Sequence, residues 1–99
     1  MNIYAYVPDL MDRSKFSKEI NFYSKPQSLN YSEIDLIIVD LDKCKDLKGH
    51  LNLNVKTIGF ASHVNEQVFK EANSVGYENV YPRSVFFKKM SELLSVSDN

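Results

Sequence analysis

The sequence predicts an α/β fold in which helices cover both faces of one parallel five-stranded sheet. Short β-branched or aromatic segments alternate with polar segments along the whole chain, at the spacing that parallel crossovers require. The segment at residues 36–39 is continuously apolar, as expected of a central strand that is buried on both faces.

Five strands are predicted, at residues 3–7, 22–24, 36–39, 55–60 and 79–81. Only ten residues, 25–34, join the second and third strands, which is near the minimum for a parallel crossover. The second helix must therefore be short. A short helix around Leu47 is predicted in the polar segment after the third strand.

Three longer helices are predicted, at residues 10–20, at residues 65–75 and from residue 84 onward. Their expected N-caps are Asp9, Asn65 and Ser84, because short polar side chains accept hydrogen bonds from the first helical N–H groups. Gly76 is placed as the C-terminal stop of the second of these helices.

The composition indicates one ordinary globular domain over residues 1–99, with a frayed tail at residues 95–99. Of the 99 residues, 43% are apolar and 25% are charged, and the formal net charge is −1. A balanced charge disfavours nucleic acid as a partner. The longest apolar run has four residues, which is too short to cross a membrane.

The cysteine and targeting signals predict a cytoplasmic protein. The N-terminus lacks the basic and then apolar pattern of a secretory signal, and the single Cys44 suits a reducing compartment. Cys44 lies between Lys43 and Lys45, so it is either a thiol with a lowered pKa or a plain half-buried one. The histidines, His50 and His63, have no cysteine pattern beside them, and a zinc site is not expected.

A candidate site follows from the predicted topology, because open parallel sheets bind ligands at the carboxyl ends of their strands. The chemically active residues expected at that edge are Asp9, Asp40, Ser62, His63 and Arg83. We expect them to meet in one crevice. Structural interpretations stand beside this one: Asp9 and Ser84 are ordinary helix caps, and Ser62 can belong to a loop turn.

The third strand resembles that of receiver (CheY-like) domains of two-component response regulators. The family commonly has Asp-Leu-x-x-x-Asp there, and its last Asp accepts a phosphoryl group. Residues 35–40 read Asp-Leu-Ile-Ile-Val-Asp, which puts Asp40 at the acceptor position. The resemblance covers the whole chain in element order. It implies a flavodoxin-like, doubly wound sheet with strand order 2-1-3-4-5 and shortened helices two and three.

At the other motif positions of the receiver family, this sequence matches only in part. The acidic pair that holds Mg²⁺ is reduced to Pro8-Asp9, Ala61 stands at the hydroxyl position with Ser62 one residue later, and Arg83 replaces an invariant lysine. The resemblance therefore implies a degenerate receiver. Mg²⁺ would be absent, or held weakly by Asp9 and Asp40, and phosphorylation of Asp40 would be weak or absent. A permanent salt bridge from Arg83 to Asp40 or Asp9 would lock the domain in one state.

Two functions follow from these observations. The first is a stand-alone receiver-like domain that acts in signal transduction through contacts with a regulatory protein, either a histidine kinase or a downstream effector. The resemblance puts the partner face on the last strand and the helices beside it. The candidates there have the aromatic and cationic character of interface cores: Tyr77, Tyr81, Phe87 and Lys88.

The second function is a small-ligand-binding or catalytic flavodoxin-like domain that uses the crevice. An enzyme is not the expected outcome, because adjacent Ser62 and His63 side chains rarely aim at each other and no nucleophile-elbow motif surrounds Ser62. A histidine kinase gene nearby would favour the first function and a metabolic operon the second. A structural subunit of a larger assembly is a third interpretation, and the oligomeric state is left open.

Overall fold

The computed structural model describes residues 2–16 and 19–94, in which five parallel strands form one sheet in the order β2-β1-β3-β4-β5. The strands are β1 (Ile3–Tyr6), β2 (Asn21–Phe22), β3 (Leu36–Asp40), β4 (Lys56–Ala61) and β5 (Asn79–Pro82). This is a flavodoxin-like α/β fold, so the predicted fold class and strand order are confirmed. In the described ranges, no helix has both the length and the apolar character that a membrane span needs.

The helices are α1 (Leu10–Arg13), α2 (Glu66–Val75), α3 (Arg83–Lys88) and α4 (Met90–Leu93). Single 3₁₀ turns lie at Pro26–Ser28, Tyr31–Glu33, Leu41–Lys43 and Lys48–His50. The second and third crossovers therefore carry turns in place of full helices. Both crossovers agree with the prediction of shortened helices, and in the second crossover the ten-residue connection leaves no room for more.

The centre of the sheet is β3, which pairs in parallel with β1 on one side and with β4 on the other. Ile37 and Val39 pack on the face covered by α2, while Leu36 and Ile38 pack on the face covered by α3 and α4. Every residue of β3 is buried. The fully buried strand divides the core into two layers, as its continuous apolar run predicts.

The first helix is much shorter than predicted, because α1 ends at Arg13 and not near residue 20. After α1, the Ser14 hydroxyl donates to the Met11 carbonyl at 2.6 Å, and the chain leaves the helical path. Phe16 then packs its ring against Phe22 and Phe86. Residues 17–18 of the predicted helix, and the tail at residues 95–99, lie outside the described residues.

The last helix also departs from the prediction. It begins at Arg83 after Pro82, so Ser84 lies inside the first turn and is not its N-cap. Pro82 is the residue before the helix, with φ −57° and an extended ψ of 144°, and it has no side chain that could cap the first N–H groups. At Lys89 the backbone leaves helical geometry, with ψ 9°, and divides the predicted single helix into α3 and α4.

The helix α2 agrees with its predicted signals at both ends. The Asn65 side chain accepts a hydrogen bond from the Val68 N–H at 3.4 Å, as an N-cap does. Gly76 follows the helix with φ 115°, in the left-handed region that favours glycine, and its N–H donates to the Ala72 carbonyl. The polar loop before α2 is thereby held at the carboxyl edge of the sheet.

Candidate functional site

A guanidinium surrounded by three carboxylates lies at the carboxyl edge of the sheet. Arg83 donates from Nη1 to Asp12 Oδ2 at 2.7 Å and from Nη2 to Asp40 Oδ1 at 2.9 Å. Its Nη2 also lies 3.5 Å from Asp42 Oδ2. We call these four residues the Arg83 cluster. It ties together α1, the end of β3, the turn after β3 and the start of α3.

The position of the Arg83 guanidinium is set by packing as well as by charge. Its central carbon lies 4.9 Å from the centroid of the Phe60 ring, an attractive cation–π geometry. Phe60 is itself fully buried and stacks on Phe86 at 4.7 Å. An arginine fork can bind several acceptors in fixed directions, which a lysine ammonium cannot do.

Asp40 is the most buried member of the cluster, with 0% of its surface exposed. Its Oδ1 accepts from Arg83 and from the Asp42 N–H at 3.2 Å. Its Oδ2 is buried without a hydrogen-bond partner in the described part of the chain. Burial raises the pKa of the Asp40 carboxyl group, although the hydrogen bond from Arg83 opposes the rise.

Asp42 binds the loop between β4 and α2. Its Oδ2 accepts from the backbone N–H of Ser62 at 2.7 Å, and its Oδ1 accepts from Asn65 Nδ2 at 2.9 Å. Ser62 thus contributes a backbone donor to this edge. The carboxylate of Asp42 connects the turn after β3 to the junction between β4 and α2.

Asp9 does not join the Arg83 cluster, so the expectation that it shares the crevice with Asp40 is corrected. It is exposed, and its Oδ1 accepts from the N–H groups of Met11 at 2.8 Å and Asp12 at 3.3 Å. This is an N-cap geometry, so the structural interpretation of Asp9 is confirmed. The acid that α1 turns toward Arg83 is Asp12.

A cavity of about 530 Å³ adjoins the cluster. Its lining residues are Lys15, Ser62, His63, Arg83, Ser84 and Phe87. Lys15 Nζ lies 3.2 Å from Asp12 Oδ1 and 5.0 Å from the centroid of the Phe87 ring. The structure therefore brings three of the predicted crevice residues to one cavity. Asp9 and Asp40 are not among the lining residues.

The residues at this edge do not fit the Mg²⁺ site that the resemblance implies. The Arg83 guanidinium occupies the space between the acids, and Asp9 is engaged as a helix cap. Within residues 2–16 and 19–94, no group of three or more His, Cys, Asp or Glu side chains is arranged to hold a metal ion.

The four candidates for a partner face differ in their exposure. Tyr77 is only 3% exposed, and its hydroxyl donates to the Leu47 carbonyl at 2.7 Å, so it belongs to the core and not to a surface. Tyr81 and Phe87 are half-buried against the core, while Lys88 is exposed. The placement of Tyr77 at a partner face is therefore corrected.

A second buried polar group lies on the α2 face of the sheet. His50 Nδ1 is 2.7 Å from the Tyr23 hydroxyl, and its ring centroid is 4.6 Å from that of Tyr6. Burial lowers the pKa of His50, although the charge of Asp46 opposes this. The nearby Cys44 is half-buried, and burial raises its pKa to about 11, so the alternative of a lowered pKa is wrong.

Asp12 and Asp42 were not among the residues predicted for the site. Asp12 lies in the first turn of α1, and Asp42 lies in the turn after β3. One signal for Asp42 is its position two residues after the buried strand-end Asp40, where the backbone turns back over the sheet edge. For Asp12, the signal is its distance of three residues from the cap Asp9, which is one turn of helix.

Comparison with known proteins supplies no identity. No family model, no curated protein and no solved structure matches this chain. The resemblance to receiver domains therefore stays a prediction that rests on the residues quoted above.

Proposed function

We propose that this chain is a degenerate receiver-like domain that acts in cytoplasmic signal transduction through protein–protein contacts, without efficient phosphorylation of Asp40. The supporting observation is the state of Asp40. Its carboxylate is fully buried, and its Oδ1 is bound by Arg83 and by the Asp42 N–H. Transfer of a phosphoryl group to a carboxylate requires an approach to a positioned, accessible oxygen and charge stabilisation of the transferred group.

The surface around the cluster supports a contact function. Leu10, Met11 and Val64 are exposed by 73%, 79% and 74%, and all three follow carboxyl ends of parallel strands. Exposed apolar surface is what a protein partner buries, and these three side chains form the contact surface of the proposal. The partner in this proposal is a regulatory protein, either a histidine kinase or a downstream effector.

Intact-mass measurement tests the phosphorylation part of the proposal. The protein is incubated with a small phosphodonor and Mg²⁺, beside the matched variant Asp40→Asn. We expect no stoichiometric gain of a phosphoryl group in either protein. A gain of one phosphoryl group in the wild type that is lost in Asp40→Asn would overturn the proposal and indicate a working receiver.

The contact part is tested in cells with a photo-crosslinking amino acid in place of Met11. The same substitution at Leu53, which is fully exposed before β4 at the opposite edge, serves as the control. We expect a discrete crosslinked protein from position 11 only, and its retention when Asp40→Asn is added. Loss of the crosslink in the Asp40→Asn background would contradict a phosphorylation-independent contact.

The cavity gives the second candidate function a specific basis. About 530 Å³ lies within the size range of small-molecule sites, and its lining combines two cations, two hydroxyl groups, an imidazole and a phenyl ring. A small-ligand-binding or catalytic domain would use this space. Saturable binding of a small ligand that is lost on substitution of Ser84 or Phe87 would favour this alternative. The crosslinking experiment at position 11 would then capture no discrete protein.

A further inference from the structure

A second cavity lies at the amino edge of the sheet, at the opposite end of the strands from the Arg83 cluster. Its volume is about 490 Å³, and it is bounded by residues 51–55, the first residues of β4 and β5, and the end of α2. This volume lies in the range of small-molecule sites. No member of the Arg83 cluster lines it, so a ligand bound here would be separate from the carboxyl edge.

The walls of this cavity are held by hydrogen bonds within the chain. In the loop before β4, the Asn52 Oδ1 accepts from the Asn54 N–H at 2.8 Å, and the Asn52 carbonyl accepts from the Val55 N–H at 3.2 Å. The chain after α2 is fixed by the Tyr77 hydroxyl, which donates to the Leu47 carbonyl at 2.7 Å. The cavity is therefore formed before any ligand arrives, which reduces the ordering cost of binding.

Two opposite charges share this cavity without pairing with each other. Lys56 begins β4, Glu78 directly precedes β5, and both side chains are exposed lining residues. Among the residues that the structure describes, neither side chain has an ion-pair or hydrogen-bond partner. A ligand with one carboxylate and one ammonium group would supply both missing partners, through the stronger, charge-assisted kind of hydrogen bond.

The rest of the lining suits a ligand with an aliphatic body. Leu51 and Val75 are half-buried against the core and border the cavity. Asn79 is also half-buried, and its carboxamide, which offers both a donor and an acceptor, makes no hydrogen bond within the described ranges. No aromatic ring is among the described lining residues, which disfavours nucleobases and other ligands that bind by stacking.

We propose that this amino-edge cavity binds a small zwitterion of the amino-acid class. Lys56 pairs with its carboxylate and Glu78 with its ammonium group, while Leu51 and Val75 contact an aliphatic side chain. Two sources share this chemistry, a free aliphatic α-amino acid and a short peptide of such residues. The site goes beyond the proposed function and does not depend on it, because the contact surface and Asp40 lie at the other edge of the sheet.

Titrations with leucine and with leucylleucine test the site, followed by NMR of the Thr57, Gly76 and Asn79 backbone amides. We expect saturable shifts at these lining residues. Tighter binding of leucine would assign the site to a free amino acid, and tighter binding of the dipeptide would assign it to a short peptide. The N-acetyl derivative of the tighter ligand lacks the ammonium charge, and its carboxamide lacks the carboxylate. Each analogue should bind about tenfold more weakly, because one charged pair is lost.

Two variants test which side chain meets which charge. Lys56→Gln should weaken binding of the zwitterion about tenfold and leave binding of the carboxamide analogue unchanged. Glu78→Gln should weaken binding of the zwitterion equally and leave binding of the N-acetyl analogue unchanged. Both positions are exposed, so the fold should tolerate the changes. Lys70→Gln, at an exposed position of α2 outside the cavity, is the matched control and should bind as the wild type does.

Three results would overturn the proposal. One is the absence of saturable shifts with both leucine and leucylleucine. Another is binding of the single-charge analogues as tight as that of the zwitterion, or a loss in Lys70→Gln that equals the loss in Lys56→Gln. The third is a set of shifts confined to Ser62, His63 and Ser84, which would place the ligand in the cavity at the carboxyl edge.

Discussion

At the scale of single residues, Arg83 is the side chain on which the carboxyl edge depends. It is the cation for three acids that come from distant parts of the sequence, and one of them, Asp40, is fully buried. A buried ion pair adds little net stability over an apolar pair, but removal of one partner leaves an uncompensated buried charge. The effect of a substitution therefore depends on whether the charge and the fork are kept.

We expect Arg83→Met to lower the free energy of unfolding by about 2–4 kcal/mol at pH 7, because Asp40 loses its counter-charge. Arg83→Lys keeps the charge but not the fork, and should cost about half as much. The loss in Arg83→Met should shrink at pH 5. Without arginine the folded-state pKa of Asp40 rises further, so the folded protein binds a proton there more readily than the unfolded chain. Urea unfolding at the two pH values measures this, and equal stability of Arg83→Met and wild type at pH 7 would contradict it.

His50 gives the fold a specific loss of stability in mild acid. Burial lowers its folded-state pKa below the ordinary value of about 6.5, so the unfolded chain binds the proton first. Its contribution is fully present above pH 6.5 and is lost as the pH falls toward the lowered pKa. The groups that face it are Tyr6, Tyr23 and Asp46.

We expect His50→Asn to reduce the pH dependence of the unfolding free energy between about pH 6.5 and 5. The exposed His63 is the matched control, and His63→Asn should leave the slope as in the wild type. Denaturant titrations at closely spaced pH values provide the measurement. An unchanged slope in His50→Asn would show that the protonation of His50 is not what weakens the fold.

At the scale of elements, strands were predicted more accurately than helices. The central strand agrees with its prediction to within one residue, because its continuous apolar run is buried on both faces of the sheet. The predicted first helix had a thin apolar stripe and a good N-cap, and only its first turn forms. Long-range packing of Phe16 against Phe22, Phe86 and Phe87 overrides the local helical signal after that turn.

We expect Ile37→Ala and Ile38→Ala each to lower the free energy of unfolding by about 2–5 kcal/mol, because they open cavities on opposite faces of the sheet. Both side chains are fully buried. Val64→Ala, at an exposed position, should change it by less than about 0.5 kcal/mol. Losses under about 1 kcal/mol at both isoleucines would show that the core closes around the missing atoms.

At the scale of the whole molecule, the parallel sheet brings the chain's dispersed acids to one edge, and Arg83 neutralises them there. Asp12 follows the carboxyl end of β1, Asp40 ends β3 with Asp42 just after it, and Arg83 follows β5. The topology thus places the Arg83 guanidinium beside these acids, where a bound metal cation would otherwise be needed to neutralise them. This arrangement determines how the protein should respond to divalent cations.

We expect Mg²⁺ at about 10 mM to leave the thermal midpoint of the wild type unchanged, relative to NaCl of equal ionic strength. A ligand raises the midpoint only where it binds the folded state, and the Arg83 guanidinium already lies between the acids. Differential scanning fluorimetry measures the midpoints. A rise of several degrees that is specific to Mg²⁺ would show that the cation displaces the guanidinium or binds elsewhere.

The sequence by itself determined the five parallel strands and the burial of β3, because the alternation of strands with crossovers and the length of the apolar run allow few topologies. The strand order was implied by the resemblance to receiver domains. It also identified the strand-end Asp40 and the helix-start Arg83 as neighbours at one edge. Local signals could not decide which oxygen binds which donor. Asp9 was expected at the site and caps α1, Asp12 was not expected there and binds Arg83, and Tyr77 was expected at a surface and is buried. Only the tertiary structure decided these, because side-chain partners depend on how α1, the turn after β3 and the start of α3 pack against one another, and residues far apart in the chain share no local pattern.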